Sequence, residues 1–142
     1  MKIVIASDHG GVNLKRTVVE ELKKKGMDVT DFGPDSNDSV DYPDYAKPVA
    51  QKVADGEFDR GILVCGTGIG MSITANKVKG IRCALVHDSF SARATRQHNN
   101  SNMLSMGERV IGSGLANDIV DIWLNTEYEG GRHERRVCKI EE

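Results

Sequence analysis

The feature that most constrains this chain is an alternation of two patterns. Short β-branched apolar runs are each followed by a turn and then by a stretch with a helical apolar stripe. Lys2 to Ala6 is the first run, and "NLKRTVVEELKKKG" follows it with Leu14, Val18 and Leu22 every four residues. Lysines fill the last turn of that helix, and Gly26 is its natural stop. "MDVTDFG" reads as the second strand and "PDSNDSVDYPD" as a loop. Tyr45, Val49 and Val53 then mark a second helix, with Asp44 as its cap and Pro48 in its first turn. "RGILVCG" is the third strand, and the helix after its glycine turn carries Ile73 and Lys77. "IRCALVHD" is the fourth, with Asp88 capping "SFSARATRQHN". "NMLSMG" is a short fifth strand. "SGLANDIVDIWLNT" is a helix burying Leu115, Ile119, Ile122 and Trp123, and "GGRHERRVCKIEE" a final short one.

Strands alternating with helices of this length are βαβ units. They predict an α/β fold: a single-domain, three-layer αβα sandwich over residues 1–142, with a doubly wound, mostly parallel five-stranded sheet of Rossmann-like type. The 142 residues suit one domain with a core of its own. Ligands of such sheets sit outside the C-terminal ends of the strands. The informative residues are therefore those just after each strand: Asp8 and His9, Cys65 to Gly70, and His87 with Asp88.

Bulk properties exclude several classes. A net charge of -2 gives no electrostatic case for a nucleic-acid partner. No window approaches a membrane span, and the N-terminus turns polar too soon for a signal peptide. Cys65, Cys83 and Cys138 are odd in number and far apart, so they fit neither a disulfide framework nor a zinc site. A reducing, cytoplasmic setting is the expectation.

The stretch "GILVCGTGIGMSITANK" holds the chemistry. It lacks the Gly-Lys-Ser/Thr of a Walker A loop and the G-x-G-x-x-G spacing of a dinucleotide fold, and position 71 is Met71. What remains is a nest of N–H groups, Gly66, Thr67, Gly68, Ile69 and Gly70, opening a helix N-terminus and able to hold one anionic oxygen. A thiol at that lip is expected to have a depressed pKa, so Cys65 is a candidate base or nucleophile. Cys83, in mid-strand, reads as structural. Asp8 and His9 could supply a carboxylate and an imidazole. Arg132 and Arg136, four apart, share a helix face and could grip one phosphate. His98, at a helix C-terminus, is explained by the helix dipole alone.

The segments "SDHGG", "DYPDYA", "CGTGIGMSITANK", "GIR", "RQHNN", "GERVIG" and "YEGGRHERRV" together resemble, essentially end to end, the family of ribose-5-phosphate isomerases of the B type and the galactose- and allose-6-phosphate isomerases. With Cys65 and Met71, the chain is similar to the thiol-dependent branch. The resemblance implies an aldose–ketose phosphate isomerase that needs no cofactor or metal and assembles as a homodimer or homotetramer with a site shared between subunits. It implies Cys65 as the base, Thr67 as a proton relay, and His98, with Asp8, opening the sugar ring. Asn99 would hold hydroxyls, Tyr42 would wall the site, and His9, Arg132 and Arg136, with Arg109, would bind the phosphate. Two alternatives stand beside the five-carbon substrate: a six-carbon aldose phosphate, or a non-catalytic nucleotide-binding module.

Overall fold

Strand β1 (Lys2–Ser7) is buried from Ile3 onward, as a strand must be when helices cover both faces of a parallel sheet. The computed structural model describes all 142 residues. Four more strands join β1: β2 (Asp28–Asp31), β3 (Arg60–Cys65), β4 (Cys83–Leu85) and β5 (Met103–Gly107). Every pairing is parallel, in the order β2-β1-β3-β5-β4. The mostly parallel expectation thus becomes a wholly parallel sheet in a three-layer α/β fold. No helix is long and apolar enough to cross a membrane.

Helices α1 (Val12–Lys24), α4 (Ser89–Asn99) and α5 (Ser113–Asn125) contribute to one apolar layer, in which Trp123 is fully buried. Helices α2 (Pro43–Ala54) and α3 (Ile69–Ala75) form the other layer, on Val4, Leu63 and Met103. Helix α6 (Arg132–Ile140) rests on α4 and buries only His133 and Val137. Edge strand β2 is mostly exposed and carries Asp28 and Asp31, charges that discourage pairing with another sheet.

Several local expectations are corrected. Asp44 does not cap α2: the helix starts at Pro43 after Tyr42, which makes no side-chain cap bond, and Asp44 lies in the first turn. The helix thus begins earlier, and Pro48 is its sixth residue rather than part of the first turn. Helix α3 stops at Ala75, so Lys77 is outside it, and Ile73 faces solvent at 57% exposure. In α5 the buried set is Ala116, Ile119, Val120, Trp123 and Leu124. Leu115 and Ile122 flank that face, because α5 touches both α1 and α4 and its contact stripe is rotated toward them. Asp88 does cap α4: its carboxylate accepts the Ser91 N–H at 2.7 Å.

Lys15 belongs to the buried face of α1 although nothing in the pattern marks it. Its ammonium is fully covered and bonds both Asp31 oxygens, at 2.7 and 2.9 Å, and the Pro34 carbonyl at 2.8 Å. Three acceptors offset the desolvation of a buried cation. The result ties α1 to edge strand β2.

Candidate active site

The strand order reverses direction between β1 and β3, which places the ends of these neighbours side by side at the C-terminal edge of the sheet. This is the switch point at which open α/β sheets take their ligands. The turn after β1 is capped by Asp8, whose Oδ1 accepts the Gly10 N–H at 2.8 Å. A Cβ at Gly10 would lie 3.1 Å from the Gly66 nitrogen. The loop after β1 and the glycine loop after β3 therefore touch.

Cys65 ends β3 with 5% of its surface exposed. Its Sγ accepts the Gly68 N–H at 2.9 Å. That bond needs a chain reversal over three residues, which Gly68 supplies with φ +78°. A Cβ there would meet Leu85 at 2.7 Å and the Met106 backbone at 2.8 Å, so only glycine fits. The loop is held from below as well. Ser105 Oγ donates to the Gly68 carbonyl at 2.7 Å, and the Arg109 N–H donates to the Gly66 carbonyl at 3.0 Å. Thr67 is exposed, and its Oγ1 accepts the Ile69 N–H at 3.2 Å.

Around the thiol loop stand the other residues of one group. The Arg109 side chain lies along Gly66, and the Tyr42 ring packs so tightly on Gly70 that a Cβ would sit 2.6 Å from it. His9 Nδ1 accepts the Val40 N–H at 3.2 Å, which leaves the proton of a neutral ring on Nε2. A cleft of about 440 Å³ is lined by Asp8, His9, Tyr42 and the segment Val40–Asp44. A single chain thus gathers Asp8, His9, Tyr42, Cys65, Gly66–Gly70 and Arg109.

It does not gather His98, Asn99, Arg132 and Arg136 there. Helix α4 runs back along the sheet, and its end is fixed at the opposite edge. The carbonyls of Asn99 and Asn100 accept from the Arg82 guanidinium, just before β4. Asn102 Oδ1 accepts the Arg82 N–H at 2.8 Å just ahead of β5. From Asn102 to Gly107, which pairs with Cys65, is five residues, or about 17 Å at the rise of a strand. The second group is tied together by rings: His98 stacks on His133 of α6, with centroids 4.6 Å apart and planes at 18°. The helix dipole alone does not account for His98.

Two contributors, Ser105 and Glu108, escape the sequence reading, and a third, His87, is marked there only by its place after β4. Its Nε2 accepts the Gly107 N–H at 2.9 Å, next to the thiol loop, and burial pulls its pKa below the usual histidine range. Ser105 is the lone polar residue of strand β5, Met103–Gly107, a signal that could have been used. Glu108 accepts the Leu14 N–H at 2.7 Å and so fixes the start of α1; nothing local marks it. Burial pushes the Cys83 thiol up to about 12, as suits a structural cysteine.

A thiol in an anion nest, beside an acid, an imidazole and an arginine, is equipped for proton transfer on a small anionic substrate. The family model described as Ribose/Galactose Isomerase matches residues 3–140, and the chain belongs to that family. It is an isomerase. A Bacillus subtilis protein, named a sugar phosphate isomerase with no sugar specified, is 63% identical over 141 residues, 99% of this chain and 95% of that one. The structure of ribose-5-phosphate isomerase B from Clostridium thermocellum superposes with a TM-score of 0.98 at 58% identity, covering 99% of this chain and 95% of the other. The Mycoplasma genitalium ribose-5-phosphate isomerase B, solved with bound ribulose-5-phosphate, gives 0.95 at 46% identity, covering 99% and 93%.

Proposed function

We propose that residues 1–142 form one domain that interconverts D-ribose 5-phosphate and D-ribulose 5-phosphate, a step of the non-oxidative pentose phosphate branch in the cytoplasm. The observation that carries the chemistry is the Cys65 thiol seated on the Gly68 N–H within a glycine nest. Cys65 takes the proton from C2 and returns one to C1. The N–H groups of the nest that Cys65 and Thr67 do not occupy hold the enediolate oxygen, as an oxyanion hole does. Thr67, exposed at the loop tip, relays a proton between the two oxygens. Asp8 stands at the adjoining turn and Tyr42 walls the cleft. His9 and Arg109 hold the phosphate from this side. No step calls for a metal or cofactor.

The remaining roles fall to a second copy of the chain. His98, with Asp8, opens the furanose; Asn99 binds hydroxyls; Arg132 and Arg136 complete the phosphate grip. All four belong to the edge remote from their own Cys65, so a two-fold partner delivers them and each dimer holds two composite sites. A tetramer would repeat the unit as a dimer of dimers.

Two measurements test this reading. Deuterium from solvent should enter C1 or C2 of the sugar phosphate, which a non-catalytic binding module cannot achieve. A panel of four-, five- and six-carbon aldose phosphates, compared by kcat/KM, should rank ribose 5-phosphate first. A six-carbon aldose phosphate ranking first would keep the mechanism and change the substrate.

A further inference from the structure

We propose that His98, Glu129 and His133 form a zinc-binding site whose occupation switches the isomerase off. Three independent elements bring the groups together: His98 from the last turn of α4, His133 from α6, and Glu129 from the segment between α5 and α6. The Glu129 N–H donates to the Gln97 carbonyl at 3.1 Å, which pins that segment against the end of α4. The donor atoms of all three side chains lie within 4.8 Å of one another. The acid nearest His133 Nε2 is Glu129, at 3.6 Å, too long for a hydrogen bond. The His133 ring is largely covered, stacked on His98, with Glu129 as its only acidic neighbour within 4.0 Å.

Zinc suits this set. Two imidazoles and one carboxylate, with a fourth position open, are a recurrent zinc donor set. Bonds of about 2.1 Å place tetrahedral donors roughly 3.4 Å apart. The Glu129–His133 edge is already close to that. The others close by rotation of the exposed Glu129 side chain and by partial unstacking of His98 from His133. A metal held there ties up the His98 imidazole, on which ring opening depends. The inhibitory half of the proposal rests on the role given to His98; the binding half does not.

Metal-stripped protein is titrated with Zn2+ by calorimetry, and with Co2+ by visible absorption. One ion per chain, with the intense bands of a four-coordinate Co2+ site, is expected. Glu129→Gln should weaken Zn2+ at least ~10-fold, and His98→Asn similarly. Cys65→Ala should bind as the wild type does, which separates this cluster from the other obvious zinc ligand. Wild-type affinity in Glu129→Gln, or its loss in Cys65→Ala alone, overturns the site. In the assay, Zn2+ should inhibit reversibly on chelation, and Glu129→Gln should escape at the same concentration. Zinc bound at the cluster with ribose 5-phosphate isomerisation unimpaired would overturn the switch and the ring-opening role of His98 together, while leaving Cys65 as base untouched.

Discussion

Take two inactive variants, Cys65→Ala and His98→Ala, and ask what their mixture does. Within one chain Cys65 lies beside Gly107 at the C-terminal end of β5, whereas the end of the helix that carries His98 is fixed at the other end of that strand, which is about 17 Å long from Asn102 to Gly107. No side chain spans that, so neither residue can serve the other's site in its own subunit. If a two-fold partner supplies His98, an equal mixture refolded together contains about half hybrids. In each hybrid one site carries both lesions, and the other pairs an intact Cys65 with an intact His98. Half the dimers with half their sites restored give roughly a quarter of wild-type activity, from parents that each have almost none. The parents set the baseline: loss of a general base costs at least ~100-fold, so a quarter stands at least ~25-fold above it. The assay is isomerisation of ribose 5-phosphate after co-refolding, with subunit exchange verified by native mass spectrometry. A mixture that stays at baseline while hybrids are present refutes the shared site.

Other outcomes follow from single residues. Gly68→Ala places a Cβ 2.7 Å from Leu85 at φ +78°; the expected cost is about 3 kcal/mol, seen in urea unfolding, with kcat falling as the Cys65 bond to the Gly68 N–H is lost. Lys15→Ala strands Asp31 and the Pro34 carbonyl and should cost about 3 kcal/mol, and Lys15→Met, which fills the space but offers no donor, should leave most of that loss in place; a Lys15→Met variant as stable as the wild type would deny the ion pair any weight. Timed alkylation at pH 8, read by peptide mass mapping, should modify Cys65 and spare Cys83, whose pKa of about 12 leaves roughly one thiolate in ten thousand. His87 has a folded pKa below its unfolded value, so its contribution is present above about pH 6.5 and declines as pH falls through that value; the acid slope of Tm should flatten in His87→Gln.

The order of elements, the parallel sheet and the position of the reacting edge were legible because each rests on local pattern. A β-branched run, a glycine turn and a four-residue stripe lie within a few residues of one another, and connectivity then dictates which strand ends face the ligand. The remoteness of His98 from Cys65 followed from the same logic, since a crossover helix must run back along the sheet. Positions fixed by contact with distant chain were not legible. Lys15 is inside because Asp31 and Pro34 arrive to meet it. Leu115 lies off the buried face because α5 turns toward α1 and α4. The strand order, the Tyr42 ring that makes Gly70 obligatory, the His87 acceptor beside the thiol loop and the stacked pair of His98 and His133 exist only once the layers close. Sequence patterning determines which residues can be buried and where the chain turns. Which neighbours a side chain then finds is decided by packing between segments 16 to 94 residues apart, and no local period encodes that.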